Sequence, residues 1–284
     1  MDPASPLDHA TALRPSSIAN GVSGGWFRDL RVRAVLLSVL FPSGCLLCKQ
    51  LLTEPTRLPI CDGCLDAFQP ITEKVCDICG RPLGSAVHES LLHPALCIGC
   101  CNEEDRPFAF DRARSWSLYR GKVISAILLL KFEDIQPLGL FFARVLADLA
   151  HREGSSFQAD VVVPVPLHRQ RERERGYNQA ALIAKPLAKL LGLPYKSVLL
   201  TRIRPRPDKQ VLSLEERWKS VRGAFATRPG SHIDNQRVLL VDDVLTTGAT
   251  LDSCAKTLRA AGAKSVIGLT VARSVLKGPA DSLP

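Results

Sequence analysis

The chain has 284 residues, a formal net charge of +9 at pH 7 and an isoelectric point of about 9.2. A hydrophobic content of 46% and a mean hydropathy of +0.06 exclude an intrinsically disordered chain. The longest apolar runs, 34–41 and 123–130, are too short to span a bilayer, so we expect no membrane insertion. The positive charge favours anionic partners, and it fits small phosphate ligands and nucleic acid equally well.

The first 41 residues are predicted to contain a tail and one helix. Residues 1–25 mix Pro, Ser, Gly and Asp without periodicity, which predicts a disordered tail. No basic start leads into an apolar stretch, so we expect no secretory signal and a cytoplasmic location. Apolar residues recur at helical spacing over 26–41 and predict an amphipathic helix. We assign this helix and the cysteine-rich segment after it to a small domain, 26–104, and the rest to a larger domain, 105–284.

Cysteines dominate the small domain. Eight of the ten cysteines form four CxxC pairs, and in a chain without a secretory signal this spacing favours metal binding over disulfides. Redox pairs need a βα context that this segment lacks, and an iron–sulfur cluster is the other alternative. The spacing predicts one or two structural zinc (Zn²⁺) sites with the ligands Cys45, Cys48, Cys61, Cys64, Cys76, Cys79, Cys97 and Cys100. Consecutive pairs form each site in the simplest arrangement; interleaved pairing stays open, and Cys101 is an alternative to Cys100.

Strand and helix patterns alternate along the larger domain, which predicts an α/β fold with a parallel sheet and helices on both faces. The predicted strands are 113–119, 160–165, 238–241 and 265–270, and the predicted helices are 122–132, 137–152, 168–191 and 249–261. Within the run 168–191, Gly176 and Pro186 are expected to interrupt or kink the helix.

The most informative segment is 237–250, where four apolar residues lead to two adjacent carboxylates, Asp242 and Asp243. A strand end, a tight turn and a helix N-terminus together present backbone N–H groups to a phosphate. We therefore predict that the two acids bind ribose hydroxyls while the turn binds a 5′-phosphate. The turn residues are Thr246, Thr247, Gly248 and Thr250. The alternative is an ordinary βα turn with Asp and Thr as helix caps, although two acids beside a core are costly without a ligand.

Two further segments are expected at the same site. Ligands of open parallel sheets lie beyond the carboxyl ends of the strands, so the turn after 160–165, with Val165 and Pro166, belongs there. Arg175 is then available to phosphate, unless it lies on a capped surface helix. The basic segment 201–222 lacks clear periodicity and predicts a flexible loop or lid, with Arg202, Gln210 and Arg217, that neutralises a leaving group. The alternative is a segment without a functional role.

The cysteine-rich start, Leu130-Lys131-Phe132, the Pro164-Val165-Pro166 turn and the segments 175–179 and 241–250 occur here in one order. This order resembles the ComF family of phosphoribosyltransferase-like proteins, of the ComF/GntX type, over about 42–272. The resemblance implies a type I phosphoribosyltransferase-like parallel sheet with a small N-terminal zinc-ribbon-like domain whose sites each contain four cysteines.

The family resemblance also implies a ligand, phosphoribosyl diphosphate (PRPP) or a related phosphorylated ribose, bound with Mg²⁺. Asp242 and Asp243 match the ribose-binding acids, and the matched phosphate loop is Thr246, Thr247, Gly248, Ala249 and Thr250. Lys131 matches a family position for which the sequence gives no role. Family members are associated with competence and natural transformation, where they handle incoming single-stranded DNA.

Two functions are favoured over a third, a metal-held scaffold without a ligand, in which the phosphate turn would have no purpose. The first is a Mg²⁺-dependent phosphoribosyltransferase of nucleoside metabolism with Asp242 and Asp243 as catalytic residues and an unidentified acceptor. The second is a non-catalytic module that binds single-stranded DNA or a DNA-uptake helicase through the zinc ribbon and the basic loop. Phosphate attraction would dominate DNA binding and weaken with salt.

Overall fold

A computed structural model of the chain describes residues 44–52, 56–84, 94–101, 108–205, 213–231 and 233–274. The predicted tail 1–25, the predicted helix 26–41 and Gln210 lie outside these residues. The chain divides into two compact units, Met1–Phe68 and Gln69–Pro284. The domain boundaries given above stay a prediction. In the described ranges, no helix has both the length and the apolar character needed to cross a membrane.

The larger unit is built around a parallel sheet. Its strands are β1 (Arg112–Leu118), β2 (Val161–Pro164), β5 (Arg237–Leu245) and β6 (Ser265–Arg273), and β3 (Leu200–Arg202) and β4 (Phe225–Thr227) form a separate antiparallel pair. The strands of the main sheet lie in the order β1-β6-β5-β2, and each neighbouring pair is parallel. The first strand, β1, and the strand β2 therefore form the two edges of this sheet.

Helices connect these strands. They are α1 (Asp62–Leu65) in the smaller unit and α2 (Gly121–Phe132), α3 (Pro137–Glu153), α4 (Arg169–Arg175), α5 (Gln179–Leu191), α6 (Leu214–Val221) and α7 (Ala249–Ala260) in the larger one. The predicted break at Gly176 is confirmed, because Gly176 has a left-handed backbone that ends α4. Pro186, by contrast, lies inside α5, which continues to Leu191.

Helices cover both faces of the sheet, as predicted. On one face, Gly268 of β6 leaves room for α7, since a Cβ added there would lie 2.8 Å from Leu251 Cδ1. On the other face, Trp116 of β1 packs edge-on against Phe141 of α3, with ring centroids 6.2 Å apart. The helix α5 packs beside α3, where a Cβ on Gly139 would lie 2.7 Å from the Leu182 carbonyl oxygen.

Two segments differ from the sequence-based expectation. The strand β5 does not end before the two acids but continues through them to Leu245, because β6 pairs with it along that length. The segment 201–222 also contains regular structure, with Arg202 in β3 and Arg217 in α6. The helix α6 begins with a capping box in which Ser213 and Glu216 bond each other's backbone N–H groups. This local signal was present in the sequence but was obscured by the basic residues around it.

Candidate functional site

The two acids of β5 lie on opposite faces of the strand, as adjacent strand residues must. Asp242 is in register with Thr270 of β6, whose hydroxyl lies 2.6 Å from Ser115 Oγ on the face covered by α7. Asp243 faces the other side, where its Oδ2 lies 2.7 Å from the Lys131 Nζ of α2. The pair of acids therefore presents one carboxyl group to each side of the strand.

Lys131 is a site residue that the sequence could not assign. It lies in the last turn of α2, with 21% of its side chain exposed, and it neutralises Asp243, which is 5% exposed. Tyr177 fixes this end of α2, since its hydroxyl donates to the Leu130 carbonyl oxygen at 2.7 Å and accepts the Asp134 N–H at 3.2 Å. No local sequence pattern predicts the Lys131–Asp243 or the Tyr177–Leu130 contact, because the partners are far apart in sequence.

Asp242 has an unusual protonation equilibrium. Burial and, after it, the nearby negative charge of Asp243 raise the pKa of its carboxyl group from a usual value of 3.8 to about 8. The Asp243 backbone N–H, 2.8 Å from Asp242 Oδ1, and the Lys131 charge act in the opposite direction but do not compensate. A ligand that supplies positive charge or hydroxyl donors would stabilise the ionised form of this carboxyl group and lower its pKa.

The predicted phosphate turn follows β5 directly. Gly248 is the N-cap of α7 and has φ 90°, a left-handed conformation that favours glycine. A Cβ at this position would also lie 2.6 Å from Phe108 Cε1. Side chains shape the rest of the turn, because Thr247 Oγ1 accepts the Ala249 N–H at 3.2 Å and Arg217 Nη1 donates to Thr246 Oγ1 at 3.4 Å.

The structure brings Val165 and Arg175 to the same end of the sheet. Val165 and Pro166 are buried, and the Val165 N–H donates to the Val241 carbonyl oxygen of β5 at 2.8 Å. Asn178 holds the same loop, since its Nδ2 donates to the Val165 carbonyl oxygen at 3.0 Å while its Oδ1 caps α5. Proximity of these segments was expected from the rule that strand ends share one edge.

Arg175 lies beside the acid that Lys131 neutralises. Its guanidinium group stacks over the Phe132 ring at 5.1 Å, and burial lowers its pKa while the charge of Asp243 raises it. A cleft of ≈ 210 Å³ opens at this place and is lined by Lys131, Phe132, Asp134, Arg171, Glu174, Arg175 and Tyr177. The three cations of this lining outnumber its two carboxylates, Asp134 and Glu174, so the cleft carries a small positive charge that suits an anion.

The basic residues predicted to form a loop are distributed differently. Arg217 of α6 contacts the phosphate turn, as described above. Arg202 of β3 stacks over the Phe225 ring at 5.3 Å, and its Nε donates to the Arg204 carbonyl oxygen at 3.0 Å. Gln210 lies outside the described residues. Of the three, Arg217 is thus the residue that the structure brings to the turn.

The smaller unit contains a group of four cysteines, Cys45, Cys48, Cys61 and Cys64. The sulfur atoms all lie within 4.8 Å of one another, and the Cys45–Cys64 and Cys48–Cys61 pairs are 3.7 and 3.6 Å apart. A tetrahedral site with Zn–S bonds of about 2.3 Å requires sulfur separations of about 3.8 Å. The pKa of Cys45 is lowered to about 6, because backbone N–H groups that include that of Cys61 outweigh the opposing effect of burial.

The larger unit contains the second group, Cys76, Cys79, Cys97 and Cys100, all of them buried. The sulfur atoms of Cys79 and Cys97 are 3.6 Å apart, and hydrogen bonds from the thiols of Cys100 and Cys79 lower the pKa of Cys76. The exposed Cys101 instead points to the Leu96 carbonyl oxygen at 3.8 Å. The eight cysteines are therefore grouped by consecutive pairs, and both donor sets fit structural zinc.

Comparisons with known proteins agree with both halves of this description. Residues 178–281 match the family described as "Phosphoribosyl transferase domain", and residues 36–101 match the "Double zinc ribbon domain" family. The DNA utilization protein YhgH of Salmonella typhi is 31% identical over 228 residues, which cover 79% of this chain and 94% of that protein. Competence protein ComFC of Bacillus subtilis is 28% identical over 234 residues, covering 76% and 84% of the two chains. Competence protein F of Haemophilus influenzae is 34% identical over 108 residues, 38% of this chain and 47% of that protein.

Solved structures of phosphoribosyltransferases are also similar. The glutamine PRPP amidotransferase of B. subtilis has a TM-score of 0.33 and 23% sequence identity, and the match covers 48% of this chain and 26% of that one. Adenine phosphoribosyltransferase from Leishmania tarentolae has a TM-score of 0.30 and 20% identity, covering 46% of this chain and 70% of that one. The two family matches together confirm the predicted phosphoribosyltransferase-like fold with a zinc-ribbon region.

Proposed function

We propose that this chain, which belongs to the ComF family of phosphoribosyltransferase-like proteins, binds PRPP or a closely related ribose 5-phosphate ligand together with Mg²⁺. The observation that carries the proposal is the direct succession, at one edge of the sheet, of Asp242, Asp243 and the Gly248 turn. Val165 and Arg175 lie at the same edge.

The turn 246–250 supplies the phosphate end of this site. The N-cap of α7 is Gly248, which has no side chain to cap the helix, and the one side-chain bond described at the first residue is that of the Ala249 N–H to Thr247 Oγ1. N–H groups at a helix N-terminus, aligned with the helix dipole, bind a phosphate without a further cation. Arg217 adds a positive charge at Thr246. We assign the 5′-phosphate to this turn, with Thr246, Thr247, Gly248, Ala249 and Thr250 around it.

The acids and the basic cleft supply the ribose and diphosphate end. Carboxylate oxygens of Asp242 and Asp243 can accept hydrogen bonds from ribose hydroxyls, and they are the kind of oxygen ligand that Mg²⁺ prefers. When bound, Mg²⁺ would neutralise the diphosphate oxygens. Lys131 and Arg175 lie next to Asp243 and line the cleft of ≈ 210 Å³. We assign the diphosphate to this cleft, since its charge complements these two cations.

Isothermal titration calorimetry with PRPP and Mg²⁺ tests the assignment. The double variant Asp242→Asn, Asp243→Asn is expected to weaken binding about tenfold or more, because the amides preserve side-chain volume but cannot bind Mg²⁺ and ribose hydroxyls as carboxylates do. The matched control is Asp160→Asn, whose carboxylate pairs with Arg237 at the opposite end of β5. Equal affinity of the wild-type chain and the double variant would remove the ribose assignment. A wild-type chain without any PRPP binding would remove the proposed function altogether.

Transfer of the phosphoribosyl group is a separate step that the same preparation tests. In that reaction the C1–oxygen bond of PRPP breaks, diphosphate leaves with the electron pair, and an acceptor nitrogen bonds to C1 and loses its proton. Released diphosphate can be measured with ammonia and with free nucleobases as acceptors. Release that depends on an acceptor and disappears in the double acid variant indicates a transferase. Binding without release indicates that the site serves as a ligand sensor.

A second candidate function rests on the names of the relatives, which refer to DNA utilization and competence. The chain has a net charge of +9, and α4 carries Arg169, Arg171, Arg173 and Arg175. We propose that single-stranded DNA binds to this basic surface. Titration of a fluorescent oligonucleotide at two salt concentrations tests it, since phosphate contacts weaken steeply with salt. Affinity that does not change with salt would count against DNA binding through these arginines.

A further inference from the structure

Arg273, the last residue of β6, is the largest fully buried side chain of the described residues. It is 2% exposed, and its Nε and Nη1 atoms have no hydrogen-bond partner in the described part of the chain. Nor does any carboxylate within that part lie at ion-pair distance from it. Its remaining nitrogen, Nη2, lies 3.8 Å from the sulfur of Cys79.

A buried guanidinium group without a counter-charge is very unfavourable. Arginine remains protonated in proteins, so it cannot escape the cost of burial by losing its proton. Transfer of an isolated charge into a protein interior costs several kcal/mol even after relaxation. The position of Arg273 therefore requires a buried negative charge close to it.

The cysteines around Cys79 provide that charge once they hold a metal. Four thiolates around one Zn²⁺ ion carry a net charge of about −2, spread over the sulfur atoms. All four cysteines of this group are buried, so solvent does not screen the charge. A cation in contact with one of the sulfurs then stabilises the loaded site. In return, the loaded site neutralises Arg273.

Hydrogen bonds fix the cysteine-containing loop to the strands of the sheet. The Ala113 N–H of β1 donates to the Ile78 carbonyl oxygen at 2.7 Å, and Arg114 Nη1 donates to the carbonyl oxygens of Cys76 and Asp77 at 3.2 and 3.1 Å. The first CxxC loop of this group is thus fixed to β1. Arg273 reaches the same loop from β6, and its own carbonyl oxygen accepts the Tyr119 N–H at 2.7 Å.

We infer that Arg273 is the charge partner of the second four-cysteine metal site and couples metal occupancy there to the stability of the sheet. The inference does not depend on the ligand of the carboxylate site. It concerns the second four-cysteine group alone, which lies in the same unit as Arg273.

Metal release to a coloured chelator tests the inference through zinc itself. Arg273→Met preserves much of the side-chain volume but removes the charge. We expect one of the two zinc ions of the variant to leave about 10–100-fold faster than in the wild-type chain, and the other at the original rate. The matched control, Arg237→Met, removes another strand arginine, whose partner is Asp160, and should leave both rates unchanged. Arg273→Lys, which keeps a positive charge, should release zinc more slowly than Arg273→Met.

Two results would overturn the inference. One is a folded Arg273→Met variant that releases both zinc ions at the wild-type rates. The other is Arg273→Lys behaving like Arg273→Met, because the effect would then come from packing rather than charge. If Arg273→Met does not fold, hydrogen exchange of the wild-type chain decides the question. Zinc removal should reduce protection of the Tyr119 N–H, which bonds to Arg273, and unchanged protection would contradict the coupling.

Discussion

The ion pair between Lys131 and Asp243 gives the sharpest test of how the site is built. Replacing Lys131 by Met removes the ammonium group but keeps the aliphatic stem, and it leaves Asp243, only 5% exposed, as a buried carboxylate without its partner. Replacing Asp243 by Asn instead leaves a lysine that is 21% exposed and can recover part of its hydration. We therefore predict that Lys131→Met is clearly more destabilising than Asp243→Asn.

The distance sets the size of the effect. At 2.7 Å the attraction is about 6 kcal/mol for an effective dielectric constant of about 20. Desolvation of both groups offsets much of this attraction, and loss of one partner from a buried pair costs about 3–5 kcal/mol. Because Lys131 retains some exposure, we expect about 3 kcal/mol for Lys131→Met and about 1 kcal/mol for Asp243→Asn. For a unit of this size, 3 kcal/mol lowers the melting temperature by about 6–12 °C.

Urea denaturation of the full chain, followed by tryptophan fluorescence, measures both free energies of unfolding. The matched control is Lys219→Met, which breaks an ion pair with Glu215 at the same 2.7 Å distance, but with both side chains more than two-thirds exposed. That change should alter the free energy of unfolding by no more than about 1 kcal/mol. The reasoning fails if Asp243→Asn destabilises as much as Lys131→Met, or if Lys131→Met behaves like Lys219→Met.

Two further predictions concern the residues on either side of this pair. The folded-state pKa of Asp242, about 8, lies above its usual 3.8, so the folded chain keeps a proton that the unfolded chain releases between these values. The contribution of Asp242 to stability must therefore fall as pH rises from about 4 to about 8, and the stability difference between the wild-type chain and Asp242→Asn should show this slope; parallel pH curves would contradict it. Asp243, Lys131 and the buried Cys254 thiol are the titratable groups that interact with Asp242. Gly248→Ala should cost about 2–3 kcal/mol and weaken PRPP binding at least tenfold, because strain at φ 90° adds to a contact of 2.6 Å with Phe108. Gly192→Ala, in the left-handed region at φ 67° and ψ 25° with open space around the Cβ, should cost only about 1 kcal/mol, and an equal loss in denaturation experiments would remove the role of Phe108.

The sequence predicted those parts of the molecule that local patterns specify. Apolar runs gave the strands of the sheet, and CxxC spacing gave the eight grouped cysteines. Because the carboxyl ends of parallel strands lie at one edge of a sheet, Val165 and the phosphate turn were expected to lie close together. The strand β5 extends beyond its predicted end at Val241, because pairing with β6 continues through the two charged residues Asp242 and Asp243.

Contacts between distant residues were not predictable in the same way. Lys131 and Asp243 are separated by more than a hundred positions, and neither sequence neighbourhood indicates the other. The same holds for Arg273 and Cys79, which come from the last strand and from the cysteine-rich segment. Both contacts balance a buried charge, and such a balance becomes visible only when the surroundings of each charged group are known.

The two four-cysteine groups therefore have different consequences for the protein. The first lies in the unit Met1–Phe68, and its metal stabilises a short segment with little apolar core of its own. The second lies in the same unit as the sheet, fixed to β1 by Arg114 and to β6 by Arg273. The strand β6 pairs with β5, and its last residue is in register with Leu245, which directly precedes the phosphate turn. Loss of metal from the second group leaves Arg273 as a buried cation without a counter-charge, next to its strand partner Leu245. If Arg273 is the charge partner proposed above, loss of the second zinc ion is expected to weaken ligand binding at the proposed site on the carboxyl edge as well.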